Sequence, residues 1–123
     1  MTLDERQILA AYAELAERLG LPSAVAHVGD VRAALALAEP LVTEDPASEP
    51  AAVFYAFSRY PRAFPRLARA MTTLLALTCA RAHGIVLGSN DSDALEAMVF
   101  GVASQRVGFE QVLAYFRSRI AQA

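Results

Sequence analysis

Apolar side chains recur along this chain at spacings of three and four residues, the pattern of amphipathic helices. The first stripe ends before Gly20, a residue that commonly terminates helices, and it comprises Ile8, Tyr12, Leu15 and Leu19. The preceding segment Thr2-Leu-Asp-Glu5 has the spacing of a capping box. We therefore expect the Thr2 hydroxyl to cap the first helix.

Prolines divide the next part of the chain. A second helix is predicted near Asp30–Ala38, and Glu39-Pro40 ends it because proline disfavours the helical conformation in the residue before it. Residues 40–50 hold three prolines and three acidic residues, and we expect an exposed loop there. A third helix is predicted over Glu49–Ser58, ending before Pro61.

A longer apolar stretch predicts a fourth helix at about residues 65–83, with Pro65 in its first position and His83-Gly84 at its end. Because few polar residues interrupt it, we expect it to be the central helix, with a buried side formed by Leu67, Met71, Leu74, Leu75 and Thr78. Two more helices are predicted from about Asn90–Ser92 and from Phe109. The fold class is thus all-α, with six helices in a single domain over residues 1–123.

Composition supports this picture and excludes several functions. The 123 residues suit one domain, and 55% of them are hydrophobic. A net charge of −2 predicts no bulk attraction to nucleic acid, and no apolar run is long enough to span a membrane. Cys79 is the only cysteine, so an internal disulfide is excluded and a buried, inert thiol is expected. We expect a soluble cytoplasmic protein without a metal site or cofactor.

The order of several segments resembles the Doc ("death on curing") branch of the Fic family. These segments are Gly20-Leu-Pro22, an acidic loop, a phenylalanine-containing turn, a long helix ending in His83-Gly84, Asp91-Ser-Asp-Ala-Leu95 and Gly101-Val-Ala103. The resemblance covers nearly the whole chain. It implies a helical bundle, transfer of AMP or a phosphoryl group to a target protein, and control by a partner antitoxin.

In that family, the turn before the long helix reads H-x-F-x-D-G/A-N-K-R. Counting back from Gly84, the resemblance places the general base at Arg62, the phenylalanine at Phe64 and the metal-binding acid at Arg66. The four positions that follow fall on Leu67, Ala68, Arg69 and Ala70. An arginine cannot act as a base near neutral pH, and Arg66 would repel a magnesium ion. We therefore expect the family's transfer chemistry to be absent.

A cluster of cations, Arg62, Arg66 and Arg69, remains at the beginning of the predicted long helix. Spacings of four and three would place them on one helix face, where the helix dipole also favours an anion. One interpretation is that they bind a phosphorylated molecule or an acidic partner segment. The other is that Glu44, Asp45 and Glu49 neutralise them, or that they face water.

Three functional hypotheses follow. The first is a catalytically silent Doc-like protein that acts by binding a protein partner, as a regulator or as part of a toxin–antitoxin pair. The second is a small enzyme that has acquired new chemistry, in which the arginine-lined cleft binds an anionic small molecule and Ser58, Tyr60 and Phe64 line that cleft. The third is an active transferase with a different motif alignment. No membrane or nucleic-acid partner is expected.

Overall fold

Six α-helices follow one another in the computed structural model, which describes residues 2–21 and 25–120. They are α1 (Glu5–Arg18), α2 (Val28–Ala38), α3 (Ser48–Arg59), α4 (Ala68–Ala82), α5 (Ser92–Ala103) and α6 (Phe109–Ile120). Short 3₁₀ turns occupy Glu39–Leu41, Pro61–Ala63 and Ser89–Asp91, and the described part contains no strand. The predicted all-α single domain is confirmed. Pro22, the last residue of the Gly20-Leu-Pro22 segment, lies outside the described residues. Within those residues, no helix has the length and apolarity that a membrane crossing demands.

The helix at the centre of the bundle is α3, not the long helix that we expected there. Ten of the twelve residues of α3 are buried, and it packs against α2, α4, α5 and α6. Its alanines at positions 51, 52 and 56 are fully buried. Small side chains let neighbouring helices approach closely, which explains why an alanine-rich helix occupies the most enclosed position.

Two apolar clusters lie on either side of α3. In the first, Phe57 stacks on Phe64 with ring centroids 5.3 Å apart, and Tyr12 of α1 contacts the same Phe64 ring at 5.2 Å. In the second, Phe54 of α3 meets Phe116 of α6 edge to face at 6.0 Å. Aromatic pairs in these geometries add to the stability gained from burial alone. They fix α1 and α6 to the central helix.

The long helix begins at Ala68, three residues later than predicted. Pro65 lies in a turn, and Arg66 adopts a left-handed conformation with φ of 76°. The hydroxyl of Tyr12 donates to the Pro65 carbonyl at 2.5 Å and so attaches this turn to α1. Met71 and Leu75 are buried as expected, but Leu74 and Thr78 are exposed. One side of α4 is therefore open.

The amino terminus of α1 also differs from the prediction. Asp4, not Thr2, is the capping residue: its carboxylate accepts from the Gln7 N–H at 2.8 Å, and the Gln7 side chain accepts from the Asp4 N–H. Thr2 instead donates its N–H and its hydroxyl to the carboxylate of Glu49. Glu49 is buried and needs donors, so a long-range contact replaces the predicted local cap.

Candidate functional site

The open side of α4 forms the floor of a groove, which we call the outer groove. Leu15 of α1 lies on one flank, and Ser92, Glu96 and Val99 of α5 lie on the other. The groove has a volume of about 850 Å³. This is within the range of sites that enclose a sizeable ligand or a segment of a partner protein.

An apolar stripe runs along the floor of the outer groove. Leu67, Ala70, Leu74 and Leu77 follow one another at spacings of three, four and three residues. Leu74 is 39% exposed, which is unusual for a leucine on the longest helix of so small a domain. A stripe with this spacing is the seam through which one helix packs against another. Helix α4 therefore carries two apolar faces, one buried against α3 and one open.

Positive charge lies at the end of the groove where α4 begins. Arg66 and Arg69 both line this end. No side chain within the described ranges caps α4, so the N–H groups of its first turn remain free and carry about half a positive charge. Arg66 makes no ion pair with any acid among residues 2–21 and 25–120. This end of the groove is therefore suited to a negatively charged group.

Arg69 is held in place by α5. Its Nη1 donates to Glu96 Oε1 at 2.6 Å, and its guanidinium carbon lies 5.3 Å from the centre of the Phe100 ring. Both members of the ion pair are more than half exposed, so the pair adds at most about 1 kcal/mol of stability. A guanidinium has five N–H donors, so Arg69 can still bind a second anion.

The acidic residues expected to neutralise the arginines have other partners or none within the described chain, so the prediction of neutralisation is wrong, whereas Arg62 and Arg66 are exposed, as the alternative that they face water predicted. Asp45 pairs with Arg117 of α6 at 2.5 Å, while Glu44 is exposed. Glu49 accepts from His83 Nε2 at 2.9 Å at the far end of α4. The reason is topological, because α3 and α4 are joined at the arginine end, which places the beginning of α3 beside the end of α4.

The buried Glu49 carboxylate is stabilised in its charged form. Burial alone raises its pKa, but hydrogen bonds from Thr2 and His83 outweigh burial and bring the pKa below its ordinary value. This cluster ties the amino-terminal segment to α3 and α4. It is remote in the fold from the arginines.

The predicted site residues are only partly brought together. Arg62 lies in the Pro61–Ala63 turn, is exposed and is not among the residues lining the outer groove. Arg66 precedes α4, so the expectation that Arg62, Arg66 and Arg69 share one helix face is wrong. The left-handed conformation of Arg66 and the late start of α4 are the cause.

The three residues predicted to line the cleft have different surroundings. Phe64 is buried beneath the outer groove and borders it. Tyr60 is half-buried and packs against the apolar cluster around Phe57. Ser58 is buried and borders a second, smaller cavity, described below.

No histidine is among the described residues that line the outer groove. His83 ends α4 on the far side, bonded to Glu49. The His27 backbone N–H donates to the Ala63 carbonyl at 2.9 Å, close to Arg62 and Phe64. However, the imidazole of His27 is exposed, faces Asp30 at 3.3 Å and does not line the groove. Burial raises the pKa of Cys79 to about 12, so its thiol is not a nucleophile near neutral pH.

The sequence alone did not identify the residues that shape the groove, chiefly Leu77, Glu96 and Val99. The three-four-three spacing on α4 is a visible signal, but the same spacing predicts that Leu74 belongs to the core. Comparisons of the chain with protein-family models, with curated proteins and with solved structures gave no match.

Proposed function

We propose that this protein acts by binding and not by group transfer, and that its outer groove receives an amphipathic helix of a protein partner. The observation that carries the proposal is the open apolar stripe on α4 with Arg66 and Arg69 at one end. The proposal retains the resemblance to the Doc branch as a scaffold whose motif has lost its chemistry. We also propose that the protein acts in the bacterial cytoplasm and that its partner is antitoxin-like, as this resemblance implies.

The spacing of the stripe favours a helical occupant. From Leu67 to Leu77 the stripe extends over about 15 Å at 1.5 Å per residue, or about three turns. Because α1 and α5 flank the stripe, a further helix laid between them would cover the second apolar face of α4. Helices commonly bind in such grooves through apolar anchors three and four residues apart.

The charge of the groove favours an acidic partner. Arg66 has no acidic partner within the described chain, and the uncapped first turn of α4 adds positive potential. A glutamate or aspartate of the bound helix would pair with Arg66 and lie in the positive potential of that first turn. Arg66 also occupies a backbone conformation that disfavours residues other than glycine by about 1–2 kcal/mol. An arginine in this conformation supports a role for its side chain.

The absence of transfer chemistry follows from the motif. The base position holds Arg62 and the metal position holds Arg66. The second hypothesis, a small enzyme for an anionic substrate, needs an acid or base beside the arginines. Glu96 is the one acid that borders the groove in the described chain, and it is paired with Arg69.

The proposal is tested by fluorescence anisotropy with a designed helical peptide that carries leucines at three-four-three spacing and a glutamate pair at one end. Saturable binding is expected, and Leu74→Glu should weaken it at least about tenfold, equivalent to 1.4 kcal/mol. Absence of saturable binding, or equal affinity for Leu74→Glu, would contradict the proposal. Incubation with labelled nucleoside triphosphates and candidate targets should give no transfer, and reproducible labelling would restore the transferase hypothesis.

Arg66→Gly provides a sharper variant, because it removes the cation and relieves the backbone. It should weaken peptide binding while leaving the free energy of unfolding unchanged or raising it by up to about 1 kcal/mol. Gln105→Gly is the matched control, since Gln105 has the same type of conformation (φ 64°) and lies away from the groove. It should have the same effect on stability and none on binding.

A further inference from the structure

A second cavity lies between the end of α3, the beginning of α4 and the last turns of α5; we call it the inner cavity. Its volume is about 250 Å³, and its walls include Phe57, Ser58, Arg69, Thr72, Val99 and Phe100. It shares Pro61, Ala68, Arg69 and Val99 with the outer groove, but none of the leucines of the stripe. Its walls therefore combine aromatic surface with a few polar groups.

Ser58 is the unusual feature of these walls. The residue is 2% exposed, and its Oγ has no hydrogen-bond partner within the described chain. Leaving a buried hydroxyl unpaired costs about 1–3 kcal/mol, and most buried polar groups avoid it. Since the residue borders a cavity, a bound molecule is a natural source of the missing partner.

Arg69 supplies charge to the same cavity. Its contacts with Glu96 and with the Phe100 ring hold the guanidinium at the cavity wall, with donors remaining for another acceptor. Ala68, the first residue of α4, also borders the cavity, and the helix offers unpaired N–H groups there. A carboxylate can accept hydrogen bonds from all of these donors.

We propose that the inner cavity is a binding site for a small aromatic carboxylate. The ring lies among Phe57, Val99 and Phe100, and the carboxylate accepts from Arg69 and from the Ser58 hydroxyl. The size is consistent, because a cavity of about 150 Å³ holds benzene and the inner cavity has room for a ring with one substituent. This proposal does not depend on the helical partner of the outer groove.

Ligand-observed NMR with benzoate tests the proposal, with benzyl alcohol as the uncharged analogue. Benzoate should bind saturably in the millimolar range or tighter, and benzyl alcohol should bind more weakly. Ser58→Ala and Phe100→Ala should each weaken benzoate binding several-fold. Val86→Ala is the matched control, because Val86 is an exposed apolar residue that borders neither cavity. It should leave the affinity unchanged.

Thermal unfolding of Ser58→Ala gives a second readout. Without ligand, this variant should melt at the same temperature as the parent or higher, because it removes an unpaired polar group. A lower melting temperature would show that the hydroxyl already has a partner and would overturn the argument. Lack of saturable benzoate binding, equal binding of benzyl alcohol, or unchanged affinity in both cavity variants would also overturn it. Leu74→Glu should leave benzoate binding intact, so failure here is distinguishable from failure at the outer groove.

Discussion

Two adjacent leucines of α4 give the sharpest test of which side of that helix is open. Leu75 is 2% exposed and faces the core, whereas Leu74 is 39% exposed and faces the outer groove. Alanine at either position retains high helix propensity, so the two replacements differ mainly in the packing that they remove. The comparison therefore isolates burial.

The expected magnitudes differ several-fold. Leu75→Ala removes a fully buried side chain and leaves a cavity, so it should lower the free energy of unfolding by about 2–5 kcal/mol. Leu74→Ala removes a side chain that is already partly in water, and burial of a whole leucine contributes only about 1.5–3 kcal/mol. We expect a loss of about 1 kcal/mol or less at Leu74.

Urea unfolding followed by circular dichroism measures both values. The free energy of unfolding should fall with urea concentration at the same slope in the two variants, so that the midpoints report stability directly. Equal losses, or a larger loss for Leu74→Ala, would show that the outer face of α4 is packed. The reasoning behind the groove would then fail.

Three other predictions test the surrounding structure. Gly101→Ala should lower the free energy of unfolding by about 1–2 kcal/mol, because its Cβ would lie 2.4 Å from a Val107 methyl carbon. Gly29→Ala should be neutral or stabilising by up to about 1 kcal/mol, because Gly29 lies in a helix and has open space where the Cβ would be. Because the folded protein lowers the pKa of Glu49, the stability contributed by this carboxylate should be present above its ordinary pKa of about 4.3 and lost as pH falls below it. Melting curves should therefore show a smaller loss of stability on acidification for Glu49→Gln than for the parent, and equal losses would contradict the assignment. Cys79 should not react with a thiol reagent in the folded protein at neutral pH and should react once urea unfolds it, and rapid labelling without urea would be inconsistent with its burial.

The sequence was most informative where local signals decide the structure. Helix α3 lies within one residue of its predicted span at each end, and α5 and α6 begin where their start signals indicated. At α3 the signal is local, because Pro50 suits the first turn of a helix. Asp91, before α5, also contacts Tyr115 and Arg119 of α6, and this distant contact leaves the start of the helix where it was predicted. Periodicity also identified Met71 and Leu75 as core residues.

The predictions that failed depend on residues far apart in the chain. Thr2 follows the rule for a helix cap, yet it bonds to Glu49, 47 positions away. The sequence predicts a helical Arg66, because no local signal shows that the backbone is left-handed there. Leu74 is apolar and has the helical spacing of a core residue. Only the positions of α1 and α5 show that it faces a groove. The site was therefore harder to predict than the fold.

The most direct test of the account is a double-mutant cycle between Arg66 and the acidic end of the designed helical peptide. Affinities are measured for the parent and Arg66→Gln proteins, each with the glutamate peptide and with its glutamine counterpart. The account predicts a favourable coupling of about 0.5–1 kcal/mol, the size found for exposed charge pairs. A coupling of zero, with peptide affinities that do not depend on the charge at either position, would contradict the claim that this end of α4 recognises an acidic partner.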